Sequence, residues 1–441
     1  MSSNETIAAI ATPPGRGGIG IIRISGPRSL PVAQQLSPRL EKLEPRYAHF
    51  SHWLNEKGEQ IDAGLNLYFP APHSYTGEDV LELHSHGSPV VLRALLERVI
   101  ALGCIPAKPG EFTHRAVENG KIDLSQAEAV AACIDALTLR AARQAQRHLQ
   151  GEFGRQIEIL MQAITGVVAH VEACLDFPEE EVPPLLFGRL RDEVQQHILA
   201  PIRQSLATAA FGERLFDGIS VAIIGSPNVG KSSLLNRLAG HDRAIVSEIP
   251  GTTRDVLEVD FEVQGIPARL VDTAGMRTTD DVIEKEGVRR AKKAASAADI
   301  VIYVADASRL DTWKPQGSPH ILLMNKSDLL ADEATISEGY IPVCALSGAG
   351  MDRMQEALAV HMCAMPAAEE GVLVTRQRHR QALEQAQAHI MKGLTLLGPE
   401  DQLELVALEW RQAWSALGEI LGIGDIEDIL DRVFSEFCIG K

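Results

Sequence analysis

Along residues 1–118 the apolar positions fall in short runs bounded by Gly and Pro, and IGIIRIS (19–25) and LNLYFP (65–70) read as β-strands. VVLRALLERVIALG (90–103) instead has helical spacing and stops at Gly103. Residues 121–172 change character: KIDLSQAEAVAACIDALTLRAARQAQRHLQGEF is rich in Ala, Gln, Leu and Arg without proline, which favours long helices. A break follows at DFPEEEVPP (176–184), whose acidic run Glu179–Glu181 reads as a solvated loop, and RLRDEVQQHILAPIRQSLATAA (189–210) is helical again. From Gly218 strand and helix alternate. GISVAIIG is a buried apolar strand, KSSLLNRLAG a helix and FEVQGIPARLVDT a hairpin-like pair, and ADIVIYVAD and HILLMNKSD are two more strands. Such alternation implies a parallel sheet flanked by helices. RQRHRQALEQAQAHIMKGLTLL and QLELVALEWRQAWSALGEILG close the chain as helices.

The expected architecture is therefore multidomain, α/β plus α. An N-terminal α+β domain occupies 1–118, helical segments occupy 119–215 and 376–441, and an α/β domain of 216–375 is inserted between them. The two helical segments can pack as one discontinuous domain. A chain of 441 residues exceeds one compact core, which agrees with two or three domains. No uncharged apolar run approaches the roughly 18 residues that a membrane span needs, so no span is expected. The N-terminus shows no basic leader followed by an apolar stretch. Six cysteines are scattered without a CxxC pair, which argues against a zinc ribbon or disulfide framework and fits a reducing cytoplasm. The net charge is −17 and no segment is basic; 216–375 carries 15 basic against 23 acidic residues. Any RNA contact must then use a local patch, a shape-matched groove or a partner protein.

Gly225-Ser226-Pro227-Asn228-Val229-Gly230-Lys231-Ser232 matches GxxxxGK[ST], after an apolar strand and before a helix. Glycines let backbone N–H groups curl around phosphate oxygens, and the helix points its positive end at them. Lys231 supplies a cation to the outer phosphates, and the Ser232 hydroxyl suits magnesium. Asp272-Thr273-Ala274-Gly275 ends a second strand, where an Asp can hold magnesium through water and the Gly N–H can meet a γ-phosphate. Asn325-Lys326-Ser327-Asp328 follows ILLM; its Asp can accept from both N1–H and the exocyclic amine of guanine, a pair adenine lacks. Cys344-Ala345-Leu346-Ser347 is the matching base-contact loop. Nucleotide contacts are expected from Asn228, Val229, Gly230, Lys231, Ser232, Ser233, Asp272, Thr273, Ala274, Gly275, Asn325, Lys326, Asp328, Cys344, Ala345 and Leu346. Residues 249–255, IPGTTRD, form a switch whose threonine would complete the magnesium shell. The chain is a GTPase on this reading. Many GTPases place Gln after DTAG to orient the attacking water, but Met276 stands here. Arg277, Glu284 and Glu286 in 276–290 are the alternatives for that task.

The chain resembles the tRNA-modification GTPase MnmE (TrmE) family over essentially its full length. ATPPGRGGIGIIRISGP, YTGEDVLELHSHG, PGEFTHRA, NGKIDLSQAEAV, DFPEEE, GSPNVGKSSLLN, GTTRD, DTAGMR, NKSD and the terminal FCIGK carry the resemblance. It implies an N-terminal domain that binds formyl-tetrahydrofolate and forms the homodimer, a discontinuous helical domain, and an inserted G domain. It implies a partner, the FAD-dependent protein MnmG, with FAD bound only by that partner. Together they would install an aminomethyl or carboxymethylaminomethyl group at carbon 5 of the wobble uridine of certain tRNAs. The acidic balance leaves most of the tRNA grip to the partner.

The resemblance also implies potassium held by Asn228, Ser247, Ile249 and Thr252, Ser247 standing where other members can carry Thr. Thr253 joins Ser232 on magnesium, and Ser247, Thr252 and Thr253 join the nucleotide contacts. Glu284 takes the catalytic role through a bridging water, and hydrolysis depends on G-domain pairing. Arg23, Glu82, Lys121 and Lys441 fall on folate contact positions, although by themselves these residues are ambiguous. Cys438 of FCIGK lies beside a lysine that could lower its pKa, or is a small apolar tail residue. His84 and His86 could pair on a metal, but an ordinary turn reads better. The base loop departs from the family's usual SA, with Cys344 in place of Ser. A ribosome-assembly type of GTPase would share the nucleotide motifs but not the N-terminal segments or FCIGK, and a folate scaffold with a decayed GTPase would not keep Lys231, Ser232, Asp272 and Asp328.

Overall fold

The computed structural model describes residues 5–38, 40, 42–176, 184–226, 228–239, 258–272, 295–308, 319–330, 338–362, 371–398, 402–424, 427–435, 437 and 440. The chain divides into two compact units. One comprises residues 1–131, 148–161 and 415–441, and the other 132–147 and 162–414.

In the first unit six strands form a mixed sheet: β1 (Ile7–Ile10), β2 (Gly17–Ser25), β3 (His49–Leu54), β4 (Gln60–Phe69), β5 (Val80–Gly87) and β6 (Ile105–Pro106), in the order β3-β4-β5-β2-β1-β6. Only the β1–β6 pair is parallel. Alternation along the strands decides which side chains meet. Ile22, Ile24, Leu81 and Leu83 point to one face and are buried with Val32 and Leu36 of α1 (Ser29–Leu36) and Leu92, Leu95 and Val99 of α2 (Pro89–Ala101). Arg23 and Glu82, directly paired across β2 and β5, point to the other face. His84 and His86 lie within β5 rather than in a turn, because HSHG continues the pairing to Gly17. Among the described residues no group of three or more His, Cys, Asp or Glu side chains is placed to hold a metal.

The Ala-rich stretch after residue 121 forms three helices, Leu124–Asp135, Leu139–Leu149 and Glu152–Asp176. Thr138 restarts the helix by accepting the Ala141 N–H at 3.2 Å on its Oγ1, and Gly151 breaks it with a left-handed φ of +74°. The 189–210 segment is helical with one π turn at Gln195–Leu199. Pro201, just beyond, lacks the N–H that would continue the ordinary ladder. Glu152–Asp176 is the one described helix long and apolar enough by length and composition to cross a membrane. Its apolar residues Phe153, Ile157, Leu160, Ile164, Val167 and Val171 form one buried stripe while Glu158 and Ile159 are exposed, the pattern of an amphipathic helix that packs by one face.

The second unit is built around a six-stranded sheet: β7 (Ile219–Ile224), β8 (Glu258–Val263), β9 (Ile266–Asp272), β10 (Ile300–Asp306), β11 (Ile321–Asn325) and β12 (Tyr340–Pro342), ordered β12-β11-β10-β7-β9-β8. Five strands run parallel and edge strand β8 is antiparallel to β9, as the hairpin-like pair predicts. Val221, Ile223, Ile302, Val304 and Leu323 bury one face against Leu234 and Leu238 of the helix Lys231–Ala239 and Met354 and Leu358 of the helix Met351–Met362. Phe211 and Leu215 of the helix Ala200–Asp217 join the same core. The segments after 376 form the helices Gln377–Leu396 and Leu403–Leu421.

Candidate functional site

In a parallel sheet the chain leaves every strand at the same edge, and the crevice opens where the order reverses. Here that point lies beside β7: the chain next joins the sheet on the β9 side, then returns to the β10 side. Gly225–Lys231 sits at this edge, between β7 and the helix Lys231–Ala239. The loop fits only because two positions lack a side chain. A Cβ on Gly225 would stand 2.2 Å from the Val304 carbonyl oxygen, and one on Gly230, whose φ is +98°, 2.2 Å from Asn325 Nδ2. Val229 is buried and anchors the loop to the core. Asn228 is exposed with a left-handed φ of +61°, a conformation Asn tolerates better than most residues. Lys231 Nζ donates to the carbonyl oxygens of Gly225 at 2.9 Å and Ser226 at 2.7 Å, so its charge lies across the loop mouth. Ser232 is exposed and Ser233 half-buried on the first turn of the helix. Asp272 ends β9 and pairs with Ile223, two residues before the glycine that opens the loop.

The base motif is tied to this loop. Asn325 is only 2% exposed, and its two amide atoms face opposite ways: Nδ2 donates to Val229 O at 2.8 Å, and Oδ1 accepts from the Ala345 N–H at 3.0 Å. One side chain thereby joins the phosphate loop to the 344–347 loop. Lys326, at φ +62°, donates to Asn228 O at 3.1 Å and pairs with Asp306 Oδ2 at 2.6 Å. Asp328 is exposed at the edge, Cys344 and Ala345 are buried, and the Leu346 side chain stands in solvent.

Asp306 is a residue that motif reading missed. Its only signal in the sequence is a carboxylate at the end of the apolar strand IVIYVAD. Burial pushes its carboxyl up, but hydrogen bonds from Lys326 and from the Ser308 hydroxyl and N–H outweigh this and hold its pKa below the usual carboxylate value. It stays ionised as the counter-charge that keeps Lys326 on the loop.

The residues present suit a magnesium nucleotide. The loop offers a glycine cradle, a cation and a hydroxyl at a helix N-terminus, and Asp272 ends the adjacent strand. Ser247, Ile249, Thr252, Thr253, Thr273, Ala274, Gly275, Glu284, Cys438 and Lys441 lie outside the described residues, as does the side chain of Asp272.

A second polar cluster lies on the other face of the first sheet, where Ile7, Ala9 and Phe112 are buried. Arg23 Nε lies 2.9 Å from Glu82 Oε1, with side chains 25% and 17% exposed, so this is a half-buried ion pair. His84 Nε2 is 3.3 Å from the other Glu82 oxygen. The Arg23 guanidinium sits 5.7 Å from the ring centroids of both Tyr75 and Phe112, within cation–π range. Burial pushes the Tyr75 hydroxyl up, against its hydrogen bond with Thr113 and the charge of Arg23. Lys121 stands apart from the ion pair and donates to Pro72 O at 3.0 Å, packing beside Gly77. The C-terminal tail comes to this domain: a Cβ on Gly440 would lie 2.3 Å from the Ile10 carbonyl oxygen, next to Ala9, the partner of Arg23. Phe434 and Phe437 pack against Ala127. Arg23, Glu82 and His84 are partly exposed and offer donors and acceptors, whereas the Phe112 ring beside Arg23 is fully buried.

A glycine-cradled phosphate loop at the switch point of a parallel sheet, tied through Asn325 to a base loop, defines a P-loop GTPase. The model described as "MnmE helical domain" matches residues 124–438, and that described as "GTP-binding protein TrmE N-terminus" matches residues 6–121. The chain belongs to the MnmE (TrmE) family. A protein of Methylococcus capsulatus named tRNA modification GTPase MnmE is 45% identical, with 99% of each chain covered. Proteins of the same name from Nitrosomonas europaea and Stutzerimonas stutzeri are 45% and 44% identical, with 100% of each chain covered. A crystal structure of Aquifex aeolicus Era Y63A bound to GDP and AlF4− is 26% identical, covering 39% of this chain and 67% of that one at a TM-score of 0.25.

Proposed function

We propose that this chain hydrolyses GTP in tRNA modification as a potassium-dependent GTPase activated by homodimerisation, acting with the FAD-dependent protein MnmG on carbon 5 of the wobble uridine. The observation that carries the reading is the double tie of Asn325, to the phosphate loop and to the base loop, in a chain whose full length matches MnmE relatives. The working parts are a folate-binding and dimerisation domain at 1–118, a helical domain from 119–215 and 376–441, and the G domain at 216–375.

Asn228–Ser233, Asp272–Gly275, Asn325, Lys326, Asp328 and Cys344–Leu346 bind the nucleotide, with Ser247, Thr252 and Thr253 from the switch. Ser232 and Thr253 hold magnesium; Asn228, Ser247, Ile249 and Thr252 hold potassium. When bound, these cations supply positive charge where negative charge builds up during phosphoryl transfer. Lys231 lies against the outer phosphates, and Glu284 orients the attacking water through a second water. Asp328 selects guanine by accepting from its N1–H and amine. Arg23, Glu82, Lys121 and Lys441 bind formyl-tetrahydrofolate, and Cys438 acts beside it in modification. Switching between GTP and GDP states gates the step on uridine.

A strain without this chain will accumulate tRNA that lacks the (carboxymethyl)aminomethyl group at the wobble uridine, and a plasmid copy will restore it. Mass spectrometry of tRNA nucleosides measures both. An unchanged wobble nucleoside would assign the chain to another GTPase role, such as ribosome assembly.

A further inference from the structure

The Asn325 amide is not the only group that fixes the base loop. Arg237, six residues beyond Lys231 on the same helix, donates from Nε to Ala345 O at 3.3 Å and from Nη2 to Leu346 O at 2.5 Å. The guanidinium fits because Gly348 has no side chain: a Cβ there would lie 3.1 Å from Nη2, and its φ is +89°. In a trans peptide the N–H points opposite to the carbonyl of the preceding residue. Turning the Ala345 carbonyl toward Arg237 therefore turns the Leu346 N–H away from it. The neighbouring donors are taken, since Ala345 N–H goes to Asn325 Oδ1 at 3.0 Å and Ser347 N–H faces Cys344 Sγ at 3.5 Å. Among the described residues the Leu346 N–H has no protein acceptor.

We infer that Arg237 is a positioning residue for base recognition, holding the Ala345–Leu346 peptide so that the Leu346 N–H faces the exocyclic oxygen of a guanine. The inference rests on the guanine reading of Asn325–Asp328. The oxygen at that position is shared by guanine and hypoxanthine and is absent from adenine. Arg237 therefore contributes to rejection of adenine and not to the distinction between guanine and hypoxanthine, which belongs to Asp328.

The test is competition of GDP, IDP and ADP against a fluorescent GDP analogue, on the full chain and its variants. Arg237→Ala will weaken GDP and IDP alike by about tenfold, the size expected for one poorly aligned hydrogen bond, and leave ADP unchanged. Arg237→Lys keeps the charge but not the paired donors, and will lose an intermediate factor. Gly348→Ala, which pushes on the guanidinium, will give the same base-selective loss. Equal weakening of GDP and ADP, or no change in any variant, overturns the inference; thermal melting identifies a variant that fails to fold, and the other two then decide. A wild type that does not prefer GDP over ADP would instead overturn the guanine reading.

Discussion

Glu284→Ala will lower steady-state GTP turnover by about 10²–10³-fold while GDP affinity stays within about twofold of wild type. The position that commonly carries a water-orienting Gln is Met276, whose thioether cannot hold a water for attack. On the proposed reading Glu284 does this instead, and acts only when the transition state forms. Its loss therefore falls on kcat and not on nucleotide binding. Glu286→Ala and Arg277→Ala serve as controls and will retain turnover within a few-fold; if either of them, and not Glu284→Ala, gives the large loss, the assignment moves to that residue.

Lys231→Ala will lower kcat/KM for GTP by about 10²–10³-fold and will weaken GDP as well, which separates it from Glu284→Ala. The ammonium lies 2.9 and 2.7 Å from two carbonyl oxygens of the phosphate loop, which holds its charge at the loop mouth. Removing it leaves the glycine cradle and the buried Val229 in place, so the melting temperature should move little. Turnover and GDP titration on one preparation check both halves. A variant that binds GDP as wild type does would show that the cation serves the loop rather than the phosphates.

Much of this was legible in the sequence because the signals are local. The glycines of GSPNVGKS and the apolar strand before them place the loop, and FEVQGIPARLVDT gives the β8–β9 hairpin with its turn at Gly265. Alternation in GIGIIRIS puts Arg23 opposite to Ile22 and Ile24, and only strand pairing, which joins residues 59 apart, brings it to Glu82. That register is not written in either segment alone. Asp306 and Arg237 were not found for the same reason. One ends a strand that reads simply as apolar, the other sits among ordinary helix residues, and their partners Lys326 and Leu346 are 20 and 109 positions away. The histidines of HSHG read as a turn because Ser and Gly flank them, yet pairing with β2 keeps the segment extended.

The most direct test of the account is steady-state GTP hydrolysis by the wild-type chain in potassium chloride and in sodium chloride at equal ionic strength. Hydrolysis several-fold faster or more in potassium, with GDP affinity equal in the two salts, is the predicted result and would put a potassium ion in the hydrolytic step. Equal rates in the two salts would contradict it, leaving Asn228 as a loop residue held by Lys326 and the charge compensation to be sought elsewhere.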